Sequence, residues 1–130
     1  MSQILQPAGW AAPRGYVNGV AAPGTCIFVA GQIGWNARCE WESDDLVDQV
    51  RQALLNVRAI LAEAGAQPEH IVRMTWYLTD KRDYLARARE IGAAYREAIG
   101  SYAVAMTAVQ VMALIEDRAK VEIEVTAVLP

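Results

Sequence analysis

Between Leu46 and Ala64 apolar residues recur at spacings of three and four, with Val50, Leu54, Val57 and Leu61 on one stripe, which predicts an amphipathic helix over 46–64. Ser43 is placed to cap its N-terminus, Asp44 and Asp45 suit the positive end of the dipole, and Gly65 falls where a left-handed residue ends a helix. A second stripe, Tyr84, Ala88, Ile91, Tyr95 and Ala98, predicts a helix over 83–99 that Gly100 closes. Gly92 inside it costs about 1 kcal/mol relative to Ala, and close packing is the ordinary reason to keep such a glycine.

Extended patterns cover 16–22, 25–33, 71–79, 104–114 and 119–128, and the turn Ala22-Pro23-Gly24-Thr25 is expected to join the first two as a hairpin. The last alternates strictly, with Val121, Ile123, Val125 and Ala127 on one face and Lys120, Glu122, Glu124 and Thr126 on the other. The stretch VAMTAVQVMAL at 104–114 does not, because Val104, Met106, Ala108 and Met112 oppose Ala105, Val109 and Val111. Both of its faces are therefore expected to be buried. The order ββ-α-β-α-ββ reads as a single α+β domain over 1–130, one sheet with two helices packed on one face. Two helices blanket only one side, so a neighbouring subunit is the expected cover for the other. Closed rotational symmetry would set three such sheets face to face and leave clefts between subunits.

Composition agrees with a hidden second face: the hydrophobic fraction is 54% without counting Gly, above the roughly 45–50% usual with Gly included. The longest uncharged run, 101–115, is strand-patterned and shorter than the roughly 20 residues a membrane span needs, so no membrane partner is expected. A net charge of −3, with Lys and Arg scattered among acids, gives no footprint for nucleic acid. Cys26 and Cys39 form no CxxC pair and His70 stands alone, which argues against a metal site or a disulfide framework. The opening MSQILQPAGW has no charged leader, apolar region or cleavage site, so the expected compartment is the cytoplasm.

Gly15-Tyr16, then CIFVAGQIG, DQVRQALLNVRAILAEAGA, IVRMTWYLTD and KVEIEVTAV, in that order, resemble the Rid (YjgF-like, reactive intermediate deaminase) family over 15–128. The resemblance implies a chorismate-mutase-like fold, a homotrimer with inter-subunit clefts, and hydrolysis of enamine or imine intermediates to 2-keto acids and ammonia without a cofactor. Aligned on 104–114, the family's carboxylate-clamping Arg falls on Met106 and a small thiol position on Ala108. Tyr16, Glu122, Gly31 and Gln32 match the family, whereas Ala30 stands for its Ser, Val17-Asn18 for its Ser-Gln, and Gly92 for a cleft Asn.

Loss of one partner from a desolvated Arg–carboxylate pair costs about 2–5 kcal/mol, whereas Met is an apolar, polarisable wall. The expected substrate is a small molecule with an aromatic or apolar part facing Met106, less anionic than 2-aminoacrylate. Arg14, beside Gly15 and Tyr16, is a candidate replacement cation. Imine hydrolysis needs an oriented water and a proton donor, roles open to Glu122 and Tyr16, with backbone near Gly31 stabilising a developing polar centre. The plain alternatives are a solvated Glu122 pairing with Lys120 and a packed Tyr16. Trp35 and Trp41 either lid the cleft or cover a subunit seam, Trp76 belongs to the core, and Gln110 is expected in an inter-subunit contact. His70 is expected in solvent. The alternative function is a non-catalytic trimer that binds a small ligand. A ribonuclease role finds no basic, aromatic-lined groove to support it.

Overall fold

The computed structural model describes residues 2–130. β1 (Gln3–Ile4) and β2 (Val20–Ala21) form a small antiparallel pair, and β3 (Thr25–Ile33) opens the main sheet. α1 (Leu46–Glu63), β4 (Ile71–Leu78), α2 (Lys81–Ala86), α3 (Ala88–Ala98), β5 (Ala105–Gln110) and β6 (Val121–Leu129) follow. The main sheet has the order β3-β6-β4-β5, antiparallel except between β4 and β5. The mixed sheet with its helices on one side is the expected α+β architecture.

The alternation of β6 sets the layers. Val121, Ile123, Val125 and Ala127 are buried under the helices with Met74, Trp76 and Leu78 of β4, while Val50, Leu54, Val57 and Leu61 of α1 close the core from above. Gln49 is the one buried polar residue among these, and its amide donates to the Arg118 carbonyl at 2.9 Å and accepts from the Lys120 amide at 2.8 Å. Both halves of the amide are thus satisfied, which makes its burial tolerable and ties α1 to the start of β6.

Several expectations need correction. No hairpin joins 16–22 to 25–33: β2 pairs with β1, while β3 pairs with β6. The cap of α1 is Asp45, whose carboxylate accepts from the Asp48 amide, and Ser43 instead braces Asp45 by accepting its backbone N–H at 3.0 Å. The second helix is broken at Arg87, where the backbone leaves helical geometry (φ −106°, ψ 17°) and the guanidinium bridges Asp45 at 2.9 Å and Glu90 at 2.9 Å. Of the stretch 104–114 only Ala105–Gln110 is strand, so Met112 lies beyond it in an exposed loop. Within the chain, the Gln110 side-chain oxygen accepts from the Lys81 amide at 2.7 Å at the start of α2. His70 is only half-exposed, its Nδ1 accepting from the Gln67 amide at 2.9 Å.

Register settles which face of β5 is outward. Met106 pairs with Met74 and Ala108 with Trp76, both buried, so these point to the helix side. Thr107 and Val109 pair with Thr75 and Tyr77 and point to the open side. That open side is not uniformly apolar. Phe28 is 77% and Val109 41% exposed at its margins. Between them the strands present Arg73, Thr75, Glu124 and Thr126, and Tyr77 donates a hydrogen bond to Glu124.

Candidate functional site

β5 is the edge strand, and its free edge is partly filled by the N-terminal segment. Val17 bridges to Ala105 in parallel, with its amide donating to the Val104 carbonyl at 2.9 Å. This bond fixes Tyr16 at the mouth of a cavity of about 440 Å³ between β5 and α3. Such a volume suits a small organic ligand. Met106 and Trp76 form its floor, Tyr84, Ile91 and Tyr95 one wall, and Tyr102 part of its rim. The Trp76 ring packs 6.3 Å from both Tyr84 and Tyr95, and its indole N–H donates to the Met74 sulfur at 3.5 Å. The floor therefore offers a ligand aromatic and thioether surface and no free indole donor.

Gly100 ends α3 with φ +98°, and a Cβ there would crowd the Tyr102 ring at 2.9 Å, so glycine lets the chain turn into the rim. Burial holds the Tyr84 hydroxyl above the ordinary phenol range and pushes that of Tyr95 up to about 12. Both stay neutral around pH 7 and able to donate.

The residues singled out from sequence divide between the two faces of the sheet. Tyr16 and Met106 line the cavity, with Gly92. Glu122 lies on the opposite, open face, opposite Tyr77 in register, and its carboxylate rests on Gly31, where any Cβ would collide with it. A register shift between Val29 and Gln32 places this glycine. Ala30 is exposed and its carbonyl accepts from the Gln32 side chain at 3.1 Å, so that amide folds back on its own strand. Ala108 shares the side of Met106 but is exposed and outside the cavity lining. Trp35 is elsewhere, 5.8 Å from Trp41, which carries Arg118 over its ring at 5.7 Å. The tryptophan pair thus anchors the loop before α1, with the Trp35 carbonyl held by Asn56 at 2.8 Å. Arg14 is exposed and does not line the cavity, although Gly15 and Tyr16 do. Sequence reasoning missed Arg96, which does line it. Its place four residues after Gly92, beside the apolar stripe, was the available signal.

Among the described residues no group of three His, Cys, Asp or Glu side chains is arranged to hold a metal ion, and no helix is long and apolar enough to cross a membrane.

Comparison with known proteins agrees along nearly the whole chain. The family model described as endoribonuclease L-PSP matches residues 8–129. A RutC family protein of Pyrococcus horikoshii is 33% identical over 128 residues, 98% of each chain. The Escherichia coli protein named "Putative reactive intermediate deaminase TdcF" is 34% identical over 113 residues, 87% of this chain and 85% of that one. Among solved structures, the Rid family protein YyfB of Yersinia pestis superposes with a TM-score of 0.77 at 31% identity, covering 98% of each chain. Escherichia coli TdcF with bound serine gives a TM-score of 0.71 at 32% identity, covering 98% of this chain and 99% of that one. With the mixed sheet, the edge-strand cavity and the Gly31–Glu122 contact in place, the chain belongs to the endoribonuclease L-PSP family, also called Rid or YjgF.

Proposed function

We propose that this protein is a cofactor-free hydrolase of enamine or imine intermediates, and that its substrate carries an aromatic or branched apolar group. The carrying observation is the cavity floor: Met106 and Trp76, with Tyr84 and Tyr95 beside them and no carboxylate or cation among the four. A carboxylate driven onto that floor would lose its hydration without gaining an ion pair, whereas a phenyl or alkyl group would gain contact area. The likeness to TdcF supports the reaction class.

Glu122 and the cavity lie on opposite faces of one sheet, so one copy does not bring them to the same ligand. The reading is therefore of a homotrimer in which Glu122 of a second copy approaches the mouth beside Tyr16. Exposed Phe28 and Val109 on the open face support such packing. There Glu122 would orient or deprotonate water, and Tyr16 would position it or donate to the departing amine. Contact with Gly31 fixes the carboxylate without a side chain in its way.

An amino-acid oxidase acting on L-phenylalanine or L-alanine generates the two test imines, and ammonia release is followed with and without the protein. Faster turnover of the phenylalanine-derived imine is expected. Equal or better turnover of the alanine-derived imine would contradict the reading. The separation of Glu122 from the cavity also favours one other function, a ligand-binding trimer without catalysis. Glu122→Gln separates the two, since it lowers turnover without changing affinity only in the enzyme.

A further inference from the structure

Among the described residues, Arg96 is the only charged side chain that lines the cavity. It projects from α3, one turn beyond Gly92, and a Cβ at Gly92 would lie 3.3 Å from its Nη1. The guanidinium is thus folded along the helix across the glycine instead of reaching straight into solvent, and any side chain at 92 would press on it. No described carboxylate comes within ion-pair distance of it. The other titratable groups around the cavity are the four tyrosines Tyr16, Tyr84, Tyr95 and Tyr102. The lining therefore combines an apolar part, Met106, Trp76 and Ile91, with one exposed cation and no acid.

We propose that Arg96 is the specificity-determining residue of this cavity, holding the carboxylate of a ligand whose apolar group lies against Met106 and Trp76. The inference rests on reading the cavity as the ligand site. It assigns the orientation of the substrate: apolar group inward, carboxylate at the mouth, and the reacting carbon between them, near Tyr16. Short aliphatic acids cannot touch both ends, which gives the cavity its preference for longer ligands. A guanidinium at an open mouth is partly hydrated, so the contribution is that of a half-exposed charge-assisted pair, roughly 3- to 10-fold in affinity.

The test uses the full chain and two probes of one shape, 3-phenylpropionate and 3-phenylpropionamide, titrated by calorimetry into wild type, Arg96→Gln and Arg96→Lys. Arg96 is exposed on its helix, so the fold is not at stake in these variants. Wild type should bind the acid roughly 3- to 10-fold tighter than the amide, and added salt should weaken only the acid. Arg96→Gln should erase that preference and leave amide affinity unchanged; Arg96→Lys should keep part of it, because an ammonium lacks the fork. Equal wild-type affinities, or a preference that survives Arg96→Gln, would overturn the proposal. If both probes bind equally and Ala88→Trp, which fills the cavity, abolishes both, only the role of Arg96 falls. If neither probe binds, the reading of the cavity as an aromatic-ligand site falls with it.

Discussion

The two faces of the main sheet use the same strands to opposite ends. Under the helices, Ile123 and its neighbours are sealed within one chain, whereas one residue away Glu122 is half-buried over Gly31 on the side of the sheet away from the helices. The covered face supplies stability and, at its β5 edge, a cavity. The open face carries Glu122, the carboxylate that the proposed reaction needs and the cavity lining lacks. On the proposed reading, a strand period of two separates the ingredients of one site, and a second copy reunites them.

Substitutions at adjacent positions should separate these roles. Ile123→Ala removes a fully buried side chain and should cost about 2–5 kcal/mol in urea denaturation, whereas Glu122→Ala beside it should leave the midpoint nearly unchanged. A comparable loss from both would dissolve the distinction between the faces. Val109→Asp puts a charge on the open face and, on the proposed homotrimer, should convert a trimer of the 14.2 kDa chain to monomer by light scattering. The same change at Ala108, on the other side of the strand, should leave the mass unaltered.

Met106→Arg should raise turnover of the alanine-derived imine about tenfold or more relative to the phenylalanine-derived one, since it trades the apolar floor for a carboxylate fork. No change in that ratio would mean that the floor does not select the substrate.

The smallest effect concerns the seam between α1 and the α2–α3 break. The Arg87 guanidinium beside Asp45 holds its carboxyl below the usual carboxylate range. The charged form is favoured by folding, so this stabilisation is complete above the ordinary Asp range and is lost as pH falls through the lowered folded value. Asp45→Asn keeps a good cap but removes the titration, and should flatten the acid side of a stability–pH curve. Asp45→Ala should in addition cost about 1 kcal/mol at neutral pH.

Strict alternation in 121–127 made the layers legible from sequence, and the stripe of α1 was legible because its buried residues repeat without interruption. The hairpin expectation failed because Gln3 and Ile4, which pair with β2, carry no strand pattern of their own. The break at Arg87 was invisible because it depends on Asp45, distant in sequence. Tyr16, Met106 and Gly92, far apart in sequence, line one cavity, while Trp35 and Ala30 lie outside its lining. Arg96 was missed because a charged residue beside an apolar stripe reads as a solvated flank until the cavity next to it is seen.

The claim that one site draws on both faces is tested most directly by mixing two inactive parents, Glu122→Gln and the cavity-filled Ala88→Trp, after separate purification and joint refolding. In random trimers about a quarter of the sites should combine an open cavity with an intact Glu122 from the next copy, and activity on the phenylalanine-derived imine should recover to about that fraction of wild type. Mixed trimers that form but stay as inactive as their parents would contradict the account.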